Sequence, residues 1–114
     1  MKVLIILNDP PYGTERSYNG LRMAKALAGK QGEVTVFLLA DAVACAKGGQ
    51  KVPQGFYNIE LMIKSVARQG SVLACGTCMD ARGLADDELV EGARRSTMDE
   101  LSQSTMDADK VLVF

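Results

Sequence analysis

The sequence predicts an α/β domain: a parallel sheet with helices on both faces. Three observations predict it. Short apolar, β-rich runs at residues 2–7, 33–39, 71–74 and 110–114 lack the in/out alternation of a half-exposed strand, so they read as strands covered on both faces. Stretches of helical spacing fall between them, giving the order β-α-β-(turn, loop)-α-β-α-β-α-β. Loop signals rich in Gly, Pro, Asn and Asp follow the ends of the first two strands.

Each element has its own signal. The opening run, KVLIIL, stops at Asn8-Asp9-Pro10-Pro11-Tyr12-Gly13-Thr14. A helix over residues 15–28 carries Tyr18, Leu21, Ala24, Leu27 and Ala28 as its apolar stripe, with Gly29 as the stop. After the second strand, residues 41–46 make a helical turn with Asp41 as its cap. Residues 47–55 (KGGQKVPQG) are a loop long enough to move or to close over something. Asn58 caps a helix whose Ile59, Met62, Ile63, Val66 and Ala67 keep helical spacing, and Gly70 ends it. The short third strand runs straight into Cys75. Residues 84–90 read as an acidic helix and residues 93–96 as a weak strand. Thr97-x-x-Glu100 is a capping-box signature for a helix to about residue 107, and the last strand follows.

The totals set bounds. A chain of 114 residues makes one domain and buries about two-thirds of its unfolded surface, so it needs no disulfide or metal to fold. A net charge of −1 and an isoelectric point near 5.4 speak against a nucleic-acid binder. The longest apolar run, residues 34–40 broken by Thr35, is too short to cross a membrane. The opening segment lacks a signal-peptide pattern, so the expected compartment is the cytoplasm, where thiols stay reduced. There is no histidine, which removes Ser-His-Asp triads, Cys-His pairs and His-ligated metals from the chain itself.

Attention then falls on ACGTCMDARG, residues 74–83. It holds Cys75 and Cys78 where ligands gather in parallel α/β sheets, outside the carboxyl ends of the strands. A zinc site is poorly served: one C-x-x-C offers two ligands where a structural site wants four, and Cys45 would be only a third. A thioredoxin site is also poorly served, because Pro10, Pro11 and Pro53 all precede the motif and none can lie against it from downstream. Three readings stay open: a thiol that accepts and passes on a group, a dithiol-disulfide pair, and two packed, inert cysteines. Arg82 is the nearby charge that can lower a thiol pKa, or simply a surface ion-pair partner.

Two other loops leave the same edge. Asn8, Tyr12, Gly13 and Thr14 precede a helix and form the candidate substrate-binding set, with Asp41 beside them if it points at the cysteine loop rather than capping. The competing reading, and the preferred one for 10–13, is a stiff turn that shapes the pocket rim. No dinucleotide or P-loop fingerprint is present, and no cofactor is expected.

Several stretches together carry a resemblance: PYGTE (11–15), LRMAKAL (21–27), LADAV (39–43), GGQ (48–50), GFYNIELM (55–62), CGTCMDARG (75–83) and ADKVLVF (108–114). In order and spacing the chain resembles the DsrE/DsrF-like family of small sulfur-relay proteins, most closely its YchN-like branch. The resemblance implies a three-layer α/β/α fold with a five-stranded, mainly parallel sheet. It implies homo-oligomers, trimers or hexamers, and partner proteins that donate and accept sulfur. It implies a carrier or transferase acting with those partners more than a free-standing enzyme. In the relay proteins the sulfur-carrying cysteine lies eight residues before the glycine of an Arg-Gly. Counting back from Gly83 gives Cys75. Cys78 is an addition to that pattern and keeps the redox reading alive; an oligomeric scaffold or anion-binding module is the third. Cys45 lies outside the pattern and reads as buried.

Overall fold

The computed structural model describes residues 1–114. Strands β1 (Lys2–Leu7), β2 (Glu33–Leu38), β3 (Ser71–Cys75), β4 (Ala93–Ser96) and β5 (Lys110–Val113) form one sheet in the order β4-β3-β2-β1-β5. All four neighbouring pairs are parallel. The helices are α1 (Arg16–Gly29), α2 (Ile59–Gln69), α3 (Gly76–Ala81) and α4 (Met98–Asp107). The chain steps one strand at a time from β1 to β4, then doubles back across the sheet to β5. Right-handed crossovers therefore put α1, α2 and α3 on one face and α4 on the other. No helix is long and apolar enough to cross a membrane.

The two layers are unequal. α1 packs on α2, and Tyr18 of α1 stacks on Tyr57 with ring centroids 4.2 Å apart. On the opposite face α4 buries only Leu101, and the edge strand β5 leaves Val111 and Val113 exposed. The middle strands β1 and β2 are buried on both faces, which is why their sequences run apolar without alternation.

Local signals explain most boundaries. Asn58 caps α2 by accepting the Leu61 N–H on its Oδ1 at 3.1 Å. α1 ends at Gly29, but the left-handed turn that reverses the chain falls two residues later, at Gln31 with φ 65°. The capping box at Thr97 forms by half. Thr97 Oγ1 accepts the Glu100 N–H at 3.1 Å, while the Glu100 carboxylate turns away to Arg94 and Ser96 of β4.

Two expectations need correction. Residues 84–90 are not a helix; only Asp86–Glu88 makes a single 3₁₀ turn. The segment spends its backbone on a neighbour instead: the Val90 N–H donates to Ala46 O, Gly48 donates to Glu88 O, and Lys47 bridges Leu89 antiparallel. Asp41 is not a cap. The 3₁₀ stretch Ala40–Ala46 begins after Leu39 with no side-chain cap, and the Asp41 carboxylate points elsewhere.

The Glu100 contacts tie α4 to β4. Arg94 donates to both carboxylate oxygens, at 2.9 and 2.5 Å, and the Ser96 hydroxyl adds a third bond. Arg94 first, then Ser96, hold the Glu100 carboxyl down at about 2, against burial acting the other way. A depressed folded-state pKa stabilises the fold above the ordinary value of 4.5, and that stabilisation is lost as pH falls toward about 2. The carboxylate side chain is 36% exposed, so solvent screening leaves a modest effect, and we expect Glu100→Gln to cost about 1 kcal/mol at neutral pH. Urea titrations should show the cost shrink as the pH is lowered through the acid range. A pH-independent cost would mean that the pair contributes only packing.

Candidate functional site

The site forms where β3 runs out. Cys75 is its last residue and pairs in register with Ser96 of β4. The chain turns at once into α3, and the Cys78 N–H donates back to Cys75 Sγ at 3.3 Å. Cys78 Sγ in turn accepts the Ala40 N–H at 3.2 Å, across from the end of β2. Ala40 makes that bond from a left-handed backbone, φ 49°, a conformation that costs an alanine about 1 kcal/mol. The strain sits at the contact with the Cys78 sulfur. All three cysteines are free thiols.

Both cysteines line one cleft of about 400 Å³, whose walls also include Leu39, Thr77, Arg95, Ser96 and Met98. Cys75 is 7% exposed and Cys78 is half-buried. Cys75 thus belongs to the buried apolar core and also borders the cleft. Larger hollows elsewhere, such as that between α2 and residues 90–92, hold no thiol.

Arg82 and Asp41 meet each other. Arg82 Nε donates to Asp41 Oδ1 at 2.8 Å, and its Nη1 donates to Cys78 O at 3.1 Å. The pair staples the end of α3 to the 3₁₀ stretch that carries Ala40. Asp41 therefore does face the cysteine loop. Arg82 lowers the Cys78 thiol by its charge, in the expected direction. It is outweighed: burial first, then the hydrogen bond with Cys75, push that thiol above its ordinary value. Cys45 is fully buried, and burial pushes its thiol up to about 12.

Asn8, Tyr12, Gly13 and Thr14 do not line this cleft. Asn8 binds Phe114 O through both its backbone and side-chain N–H. Thr14 Oγ1 donates to Asp9 at 2.6 Å, and Gly13 lies against Pro10, where a side chain would collide with the ring. The Tyr12 hydroxyl donates to Gln50 Oε1 at 2.5 Å and accepts the Ile59 N–H at 3.1 Å. Gln50 answers the GGQ stretch: its Nε2 donates to Ala44, Cys45 and Lys47 carbonyls, closing the far end of the 3₁₀ stretch whose near end holds Cys78.

The residue that the sequence reading missed is Arg95. It lies in the weak, charged strand β4, yet its Nη2 donates to Asp80 of α3 at 2.7 Å and its Nη1 to Asp86 of the 3₁₀ turn beyond at 3.3 Å. Its only sequence signal is position: β4 is the parallel neighbour of the strand that ends at Cys75. Nowhere do three or more His, Cys, Asp or Glu side chains gather as a metal ion would require.

Known proteins match the chain over its full length. A protein of Methanocaldococcus jannaschii described as uncharacterised is 36% identical over the whole of both chains. Protein YchN of Escherichia coli K12 is 40% identical, covering 99% of this chain and 98% of its own. The crystal structure of the E. coli YchN protein superposes with a TM-score of 0.95 over 100% of this chain and 99% of that one. A protein of unknown function from Methanobacterium thermoautotrophicum shares the fold at a TM-score of 0.77 with 14% identity, covering 99% and 97% of the two chains. The family model described as DsrE/DsrF-like matches residues 1–114, and this chain is a member of the DsrE/DsrF-like family.

Proposed function

We propose that this chain is a sulfur carrier that holds sulfane sulfur as a persulfide on Cys75. The observation that carries the reading is the placement of Cys75: at the carboxyl end of an inner strand, its sulfur accepting a backbone N–H, and its residue buried in the wall of a cleft. The Cys75 thiolate attacks the outer sulfur of a donor persulfide. A sulfur–sulfur bond forms to Cys75, the donor's sulfur–sulfur bond breaks, and the donor leaves as a thiolate. The reverse step delivers the sulfur to an acceptor thiol. Shelter matters because a persulfide exposed to bulk thiols is consumed by exchange. The donor and acceptor are partner proteins or small persulfides, the working form is a homo-oligomer, trimer or hexamer, and the compartment is the cytoplasm.

The nearness of Cys78 supports a second reading. Its thiolate can attack the inner sulfur of the Cys75 persulfide, expel hydrosulfide and leave a Cys75–Cys78 disulfide. Intact-mass spectrometry after incubation with glutathione persulfide separates the two. A carrier gains about 32 Da, one sulfur atom, which peptide mapping places on Cys75. A loss of two hydrogens without an adduct supports the redox reading. No change in either thiol overturns both and leaves an oligomeric scaffold.

A further inference from the structure

Gly76, the first residue of α3, has no backbone reason to be glycine, since its φ is not positive. What a side chain there would displace is Arg95. A Cβ on Gly76 would lie 2.7 Å from Arg95 Nε, 3.0 Å from Cζ and 3.1 Å from Nη2. The guanidinium therefore rests against the bare backbone of the residue next to Cys75. It also holds Asp80, four residues further along the same helix, and Asp86 beyond it.

We propose that Arg95 is a positioning residue for Cys75: by gripping α3 at Gly76 and Asp80, it keeps the Cys78 N–H aimed at the Cys75 sulfur. The proposal rests on the reading of Cys75 as the reactive thiol. A helix of six residues cannot hold itself in place, so its orientation must come from outside contacts. Arg82 supplies one at the far end and Arg95 the other. Two carboxylates already neutralise Arg95, so its charge is not free to attract a ligand anion or to act on the thiol at a distance. Its leverage is geometric. A tilt of the first turn takes the Cys78 N–H away from the Cys75 sulfur.

The test compares the native chain with Arg95→Gln, Arg95→Lys, Gly76→Ala and the Gln/Ala double variant. The readout is the rate of Cys75 alkylation by iodoacetamide, mapped by peptide mass, from about pH 6 to about pH 10. Cys45, fully buried, reports any chain that has opened. Arg95→Gln and Gly76→Ala should each slow Cys75 alkylation by about tenfold relative to the native chain. Arg95→Lys should fall between. The double variant should be no worse than either single one, because both changes break the same contact. An unchanged Cys75 profile alongside a lowered Tm would make Arg95 a plain structural tie and overturn the proposal. Strictly additive slowing in the double variant would also overturn it. Sulfur loading is followed in parallel: a native chain that takes no sulfur ends the carrier reading, yet leaves the alkylation comparison to stand or fall alone.

Discussion

Cys75→Ser should abolish the sulfur adduct, a fall of more than about 100-fold in loading, while Cys78→Ser should retain it and lengthen its life. The reasoning separates chemistry from packing. A serine hydroxyl does not ionise near neutrality and forms no stable bond to sulfane sulfur, so the acceptor is gone. The smaller Oγ can still accept the Cys78 N–H that now meets Cys75 Sγ, so the turn survives and stability should change by no more than about 1 kcal/mol. At position 78 serine likewise leaves the Ala40 N–H an acceptor. What it removes is the second nucleophile, and with it the route from persulfide to disulfide. That route has a pH sign. Burial and the contact with Cys75 raise the Cys78 thiol, so it is largely protonated at neutral pH and attacks faster as pH rises. In the native chain the adduct should therefore convert to disulfide progressively toward alkaline pH, and in Cys78→Ser it should not. Time-resolved intact-mass spectra check both. Loading of Cys75→Ser at the native rate would move the acceptor elsewhere. Equal loss in both single variants would mean that the thiols act as one redox unit.

How far this site was legible depends on the range of each interaction. Cys75 could be placed because its evidence is local: an apolar strand, then a turn, in a protein whose alternation implies parallel strands. The Asp41–Arg82 pair could not be, since its partners are 41 residues apart and capping is the commoner use of an aspartate in that position. Arg95 was hidden for a different reason. ARRS has no apolar pattern, because β4 is an edge strand whose arginines go to opposite faces, Arg94 to Glu100 and Arg95 to Asp80. The acidic run at 84–90 misled because LADDELV holds no Gly or Pro to break a helix in isolation. The backbone of residues 46–48 offered it better partners. Tyr12 reads from the sequence as a binding candidate or part of a stiff turn and Gln50 as part of a loop, whereas their side chains bond each other and tie that loop down.

Phe37→Ala is expected to cost about 4 kcal/mol, the largest effect of any single truncation in the core. Phe37 is the largest fully buried side chain and lies on β2, the middle strand of the sheet. Its register partners are Ile6 on β1 and Leu73 on β3, and partners in a parallel sheet point to the same face. That face is covered by α4, which buries only Leu101. So thin a cover cannot close over the space that the ring vacates, and the cavity persists. A loss of this size takes a large share of the stability typical of a domain. The effect should reach the site as well. Leu39, two residues along the chain, and Cys75, two beyond Leu73, both wall the thiol cleft. The cavity would lie beneath them, and the cleft should loosen before the chain unfolds globally. Urea unfolding should show a lower midpoint with an unchanged slope, and Cys75 should alkylate faster than in the native chain under folding conditions. A cost below about 1 kcal/mol would mean that α4 moves in to fill the void, and that this face of the sheet is more plastic than its burial suggests.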